Sequence, residues 1–364
     1  MDAALPSLLI GFASTVIFTL LLRGYAPRVG LMDHPGGRKL HAAATPVVGG
    51  LAIFGGLVLG LPLAPVALSA VMPLLAGMAG LLVCGLLDDQ RDLSSATKLI
   101  VQVAIAAVAL GWGGLWLDGA FDLAPLGMLE LGVFSIPVTL IAVVGLVNAV
   151  NMFDGLDGLA GGVVASMLLW LAIAAYLNGL PDMAVLAVLL AACVLGFLAF
   201  NARHPLRMRA AVFLGDSGSL LLGFAIAWLC IAVIRTPVDS PVGPAAVACV
   251  VALPVMDTVS LIVRRIRKGY SPLVADREHL HHIFMRAGLS ATHASWLLVG
   301  LAFAGGGLGV GLSVLGVPDL ILVAALLVAV VLHAVFVSRA WRVARALRRL
   351  RATGPAGAEP SRRG

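Results

Sequence analysis

Charge is scarce in this chain. Of its 364 residues only 12% are Asp, Glu, Lys or Arg, and no stretch is polar enough to form a soluble domain. With 61% hydrophobic residues and a mean hydropathy of +1.06, the composition excludes a soluble globular protein and describes a polytopic membrane protein. Aromatic residues are also few, at 6%, and none interleave with the basic ones. The net charge of +6 therefore carries no nucleic-acid signature of the base-stacking kind. Four cysteines, Cys84, Cys193, Cys230 and Cys249, fall inside apolar segments at no metal-ligand spacing and read as small buried hydrophobes. Internal repeats and heptads are missing. The first apolar segment has no basic run before it and no small-residue cleavage site after it, so it reads as a retained helix.

Long apolar runs dominate what remains. A span needs roughly 20 apolar residues, and eleven segments approach or meet that length: 8–22, 47–63, 66–87, 99–117, 131–147, 159–177, 183–200, 219–234, 242–263, 296–315 and 320–337. The expected fold is an all-α integral membrane bundle of about 11 transmembrane helices over residues 1–338. A basic tail, 339–364, follows, disordered at its end. Taking alternate loops, all of the 24 lysines and arginines except Arg235 fall on one side, while the other collects Asp118, Asp122, Glu130, Asp182, Asp239 and Asp319. Cytoplasmic loops retain positive charge, which places the N-terminus outside and the C-terminus inside.

Five polar clusters fall on that same inner side. Asp33–Gly50 holds Arg38, Lys39 and His41 before a Gly49-Gly50 pair, whose N–H groups could approach a phosphate; a plain basic loop is the simpler account. Asp88-Asp89 ends the third span, with Lys98 and Gln102 a helical turn apart in the next. Paired carboxylates at a helix C-terminus repel each other and oppose the helix dipole, so a cation, such as magnesium, is expected there. NAVNMFDGLDGLAGG spaces Asn148, Asn151, Asp154 and Asp157 three residues apart, a ridge of oxygen-bearing side chains if the helix continues. Capping of the helix starting at Leu159 would account for Asp157 alone. FLGDSGS offers Asp216 as helix cap or metal ligand beside Asn201, Arg203, Arg207 and Arg209. Finally, Asp257 precedes a loop with Arg264, Arg265, His279, His281 and His282, which lacks a completed zinc pattern and suits an anion.

These five clusters, in this order and on one membrane face, resemble the polyprenyl-phosphate N-acetylhexosamine-1-phosphate transferases over about residues 33–286. His279-Leu280-His281-His282 is similar to the WecA-like branch, whereas the MraY-like phospho-muramoyl-pentapeptide translocases carry three consecutive histidines. The resemblance implies an integral bacterial inner-membrane enzyme with its active site facing the cytoplasm and magnesium, or alternatively manganese, as cofactor. It would transfer N-acetylglucosamine 1-phosphate, or a related sugar phosphate, from a UDP-N-acetylhexosamine to undecaprenyl phosphate. UMP is released, and lipid-linked envelope polysaccharide, such as an O-antigen, is started. It further implies Asp88 and Asp89 as paired catalytic and metal-site aspartates, Asp154 and Asp157 as catalytic and nucleotide-site aspartates, and Asp216 as a metal ligand. Asn201 would lie near the nucleotide, and Arg265, His279, His281 and His282 in the sugar- and phosphate-binding loop. Asn148, Asn151, Lys98 and His41 complete the expected substrate-binding set.

The acceptor phosphate is already an anionic nucleophile, so the task is charge neutralisation and orientation, and direct displacement needs no general base. Two other readings compete: a muramoyl-pentapeptide donor, and a cation-coupled transporter, although transporter sites gather near the midplane of repeat-related helices. Gly305-Gly306-Gly307 would allow close helix packing, but the sequence assigns no homo-oligomer.

Overall fold

The computed structural model describes residues 2–34, 44–118, 120–122, 127–204, 207–271 and 279–339. Arg38, Lys39, His41, Arg277 and the tail beyond Arg339 lie outside the described residues. The chain is helical almost throughout, as a backbone in hydrocarbon must be to satisfy its own polar groups. In order, the helices are α1 (Leu5–Tyr25), α2 (Gly49–Gly60), α3 (Leu68–Arg91), α4 (Ser95–Gly113), α5 (Ser135–Phe153), α6 (Leu159–Leu177), α7 (Pro181–Asn201), α8 (Gly215–Ile234), α9 (Pro244–Arg267), α10 (Leu280–Arg286), α11 (Ala291–Val314) and α12 (Asp319–Ser338). Two short antiparallel pairs, β1 (Met32–Asp33) with β2 (Thr45–Pro46) and β3 (Ala120–Asp122) with β4 (Met128–Glu130), lie in connections.

Among the described residues, ten helices are long and apolar enough to cross a membrane. The expected second span is realised as a shorter apolar helix, Gly49–Leu63, so the eleven segments resolve into ten full spans and one short one. The remaining helix, α10, is only seven residues long and lies in the polar insertion between α9 and α11.

Helix α8 is the centre of the bundle, with 89% of its membrane window buried, against 11% for α12 at the periphery. It can be surrounded because its neighbours present small residues where their backbones approach, as membrane helix interfaces do. A Cβ on Gly85 of α3 would lie 2.3 Å from the Ser217 backbone, and one on Gly50 of α2 would lie 2.5 Å from Gly218. Lower down, Gly77 receives the ring of Phe224, and Gly223 faces the Val147 backbone.

The lead-in to α2 pairs with the lead-in to α8. Phe213 N–H donates to the Pro46 carbonyl, and Gly49 and Gly50 donate to the carbonyls of Phe213 and Leu214 at 3.0 and 3.2 Å. The Gly49-Gly50 amides are thus spent inside the protein and are not phosphate donors, which corrects the sequence expectation. Glycine is needed there for close approach to α8.

Because backbone cannot retreat as a flexible side chain can, Gly85→Ala must push α3 off α8. Overpacking of this kind costs about 1–3 kcal/mol. A lowered thermal unfolding midpoint in detergent is expected for Gly85→Ala, and an unchanged one for Gly145→Ala, where a Cβ would meet nothing within 4 Å.

Candidate active site

One end of the bundle opens into a cavity of about 900 Å³. It is built from helix ends: the C-termini of α3, α5 and α7, the N-termini of α4 and α8, and His282 of α10.

The paired aspartates have separate partners. Helix α3 stops at Asp92, whose left-handed φ of 51° turns the chain, and Ser94 caps α4 by accepting from Thr97 N–H at 3.1 Å. This tight turn brings Lys98 back onto Asp88, with Nζ donating to Oδ2 at 2.6 Å, while Leu93 N–H donates to Oδ1 at 2.8 Å. The expected cation beside the pair is thus supplied in part by the chain itself. Asp89 points to α8. Its two oxygens accept the backbone N–H groups of Asp216 and Ser217 at 2.9 and 3.2 Å, capping that helix from another segment. Asp216 therefore does not cap its own helix, as one reading of FLGDSGS had it.

Asp216 lies in the first turn of α8 and faces the cavity. Oδ1 accepts from Asn151 Nδ2 at 2.8 Å, and Oδ2 is 3.4 Å from Lys98 Nζ. Lys98 thus stands between Asp88 and Asp216. Ser219, which sequence reasoning passed over, also receives Asn151 Nδ2 at 2.9 Å and fixes that amide. Asn148, one turn earlier on α5, does not line the cavity; it donates to Gln102 Oε1 at 2.6 Å and locks α5 to α4.

The expected helical ridge through Asp154 and Asp157 is not formed. Helix α5 ends at Phe153, Asp154 is its C-terminal cap residue, and α6 starts only at Leu159 after Gly158, which is left-handed at φ 78°. The two glycines break the helix, so both aspartates sit on a short link. Gly158 N–H donates to Asn201 Oδ1 at 2.8 Å, and Asn201 Nδ2 donates to the Val212 carbonyl at 2.9 Å, so Asn201 ties the link to the α7–α8 loop. Asp157 accepts from Arg203 Nε at 2.7 Å and from Ala210 N–H at 3.1 Å; it anchors the arginine loop and caps no helix. Asp154 is left facing the cavity. Enclosure by protein, reinforced by the charges of Asp216, Asp89 and Asp157, pushes its carboxyl up to about 8.

Of the histidine loop, only His282 lines the cavity as described. His279 and His281 are buried behind it, and the Asp257 carboxylate holds His279 Nδ1 at 2.9 Å. Burial and its two histidine neighbours lower His281 well below its ordinary value, so it contributes no positive charge there. Arg265 is buried as well and does not reach the wall. Of the three histidines expected at an anion site, the described cavity wall includes His282. His41 falls outside the described residues.

Seven aspartates line the cavity, Asp33, Asp88, Asp89, Asp92, Asp154, Asp157 and Asp216, against Arg91, Lys98 and Arg203 among the described residues. No three His, Cys, Asp or Glu side chains among those residues form a ready metal cage. Magnesium requires none, since it takes one or two protein carboxylates and fills its octahedron with waters and phosphate oxygens. Asp88, Asp154 and Asp216 fit that chemistry.

The chain is similar to proteins of stated activity. The profile described as glycosyl transferase family 4 matches residues 71–234. The undecaprenyl-phosphate alpha-N-acetylglucosaminyl 1-phosphate transferase of Escherichia coli O157:H7 is 32% identical over 345 residues, 93% of this chain and 92% of that one. The proteins of the same name from Salmonella typhi and Haemophilus influenzae are 33% and 31% identical, covering 96% and 95% of this chain and 95% and 97% of their own. The chain belongs to glycosyl transferase family 4.

The family match takes in α3 through α8 and so contains every aspartate of the cavity except Asp33. His282, Arg265 and the Asp257–His279 pair lie beyond it. Asp33, His34 and Gln90, which line the wall, stood inside the polar clusters of the sequence but were given no role, because the sequence does not show which members of a cluster face the site.

The two kinds of aspartate separate in stability. Asp89→Asn turns one acceptor into a donor facing a backbone N–H, and an unmatched buried group costs about 1–3 kcal/mol. Its unfolding midpoint should fall. Asp154→Asn removes a carboxylate whose ionisation the folded state opposes, so in metal-free buffer above pH 8 its midpoint should hold or rise. Equal losses in both would refute the assignment of Asp89 as the helix cap.

Proposed function

We propose that this protein transfers N-acetylglucosamine 1-phosphate from UDP-N-acetylglucosamine to undecaprenyl phosphate, releasing UMP, at the cytoplasmic face of a bacterial inner membrane. The observation that carries the reading is the convergence of Asp88, Asp154 and Asp216, from three separate segments, with Lys98 and Asn151 on one cavity at the helix ends. The relatives' activity supplies the substrates, and their naming for N-acetylglucosamine favours that donor over a muramoyl-pentapeptide one. The inner-side placement of Arg91, Lys98 and Arg203 around the same cavity supports the cytoplasmic orientation.

An excess of carboxylate around a site for pyrophosphate is workable only with a cation. Asp216, with Asp88 or Asp154, would hold magnesium, with manganese as the alternative, and the ion would neutralise pyrophosphate charge when bound. Lys98 keeps Asp88 and Asp216 close despite their repulsion, and Asn151 fixes the rotamer of Asp216. Arg203, held at the rim by Asp157, is placed to meet a phosphate or nucleotide oxygen. His282 offers a further polar contact on the opposite wall. The lipid phosphate is itself the nucleophile, so these residues bind and orient two anions, and no proton has to be removed from the attacking oxygen.

The decisive experiment measures UMP release by purified protein in detergent from undecaprenyl phosphate and each UDP-sugar, with and without chelator. Release from UDP-N-acetylglucosamine, stopped by chelator, restored by magnesium and reduced at least about 100-fold in Asp216→Asn, is expected. Absence of UMP with every donor in a folded sample would overturn the reading.

Orientation has its own test, in cells carrying single cysteines in a background with the native four replaced. Arg203→Cys should react with an impermeant maleimide only after the inner face is opened, and Val238→Cys, exposed at the other end, without opening. The reverse pattern would invert the topology.

A further inference from the structure

Helix α12 is the least buried span, yet it carries a histidine inward. The side chains of His333 and Asp257 are 10% and 0% exposed, and polar groups at such depth persist where they have a task. His333 Nδ1 shares a hydrogen bond of 2.9 Å with Ser260 Oγ of α9, and its Nε2 packs 3.8 Å from Asp257 Oδ1, beyond hydrogen-bond reach. Asp257 in turn spends Oδ2 on His279 Nδ1 at 2.9 Å and Oδ1 on Leu280 N–H at 3.1 Å, so it pins the first residues of α10 to α9.

From there the contacts run to the aspartate link. The His281 ring lies parallel to that of His279, with centroids 5.6 Å apart and planes 11° from parallel. The ring also meets that of His282, 4.2 Å away, and abuts Gly155, where a Cβ would come 2.3 Å from His281 Nε2. Gly155 directly follows Asp154. Apolar contacts clamp the same end of α12: Phe284 of α10 meets Phe336, and Leu261, Ile283 and Val337 form a small core apart from the main one.

We propose that His333 is a positioning residue: anchored to Ser260 of α9 and packed against Asp257, it braces the Asp257–His279 pair so that α10 presses His281 against Gly155 and fixes the Asp154–Asp157 link at the cavity. What the positioning serves rests on the transferase reading; the mechanical link does not. Loss of the imidazole should loosen α10 and the link together and slow turnover more than it weakens donor binding.

The test compares wild type, His333→Ala, His333→Gln and Ser260→Ala, purified in detergent, by amide hydrogen exchange and by UMP-release kinetics. Gln places an N–H at about the reach of Nε2 without the ring. Faster exchange confined to residues 279–286 and 153–158 is expected in His333→Ala. Its kcat should fall roughly ten-fold with KM for the UDP-sugar within about two-fold, since small misplacements act on oriented attack. His333→Gln should recover most of both. Unchanged exchange at 153–158 in folded His333→Ala overturns the proposal, as does His333→Gln being as defective as the alanine variant, which would mark a packing role. If His333→Ala does not fold, Ser260→Ala, which keeps the ring and removes its anchor, must show the same local exchange increase or the proposal falls. A wild type that releases no UMP would count against the transferase reading alone, because exchange needs no substrate.

Discussion

The start of α8 is the constraint on which the site depends. The first turn of any helix leaves N–H groups without partners and a partial positive charge, and in a bundle surrounded by lipid neither can be left to solvent. Asp89 meets both needs from α3, accepting two of those N–H groups. A carboxylate at the end of α3 opposes its own helix dipole, but the N-terminus of α8 more than offsets this. The same contact sets Asp216 in the cavity. With the α2 lead-in bonded to Phe213 and Leu214, two segments lock the start of α8, the most buried of the ten spans, where its charged residue faces the cavity.

Around that anchor the described residues set more carboxylates than basic side chains on the cavity. Asp88 and Asp216 share one lysine, and Asp154 shares none, its carboxyl pushed up by enclosure and by its neighbours. A fold selected for stability alone would not gather these groups. Further contacts fix the segments that carry these groups: Asn201 on Gly158, Asn148 on Gln102, Asn151 on Ser219. The proposed cation would complete that charge balance at the cavity.

Much of this was legible in the sequence because charge is rare in it. Each Asp, Asn or Lys at the end of an apolar run marked itself, and alternation of loops put the clusters around Asp88, Asp154 and Asp216 on one side, so most members of the site could be named before their distances were known. Their duties could not. Asp88 and Asp89 are identical and adjacent, and only the crossing of α3 over α8 makes one face a lysine and the other cap a helix. The three-residue spacing of Asn148 to Asp157 implied a continuous ridge, but Gly155 and Gly158 end the helix and put the last two on a link. His279 and His281 looked like anion ligands by proximity to His282. Burial against Asp257 and Gly155 is a tertiary fact with no local trace, and His333, 51 positions beyond His282, had no cue except being a polar residue in a span.

The placement of the cavity at helix ends bears on the choice between enzyme and transporter. A site that must be reached alternately from both faces belongs near the midplane, where broken helices can re-pack around it. Here, among the described residues, the spans run unbroken past the bundle centre, α8 is sealed by small-residue contacts, and the cavity that gathers Asp88, Asp154 and Asp216 lies at one end. That geometry differs from a midplane site reached alternately from both faces. It does give a floor at the membrane surface, open to a charged molecule from water and level with a phosphate whose tail stays in lipid. Two anions of such different solubility can meet only at that level, and they can meet in register only if the floor is rigid. The hydrogen bonds between helix ends, and the histidine-bearing α10 braced from α12, supply the rigidity that the short link bearing Asp154 and Asp157 lacks by itself.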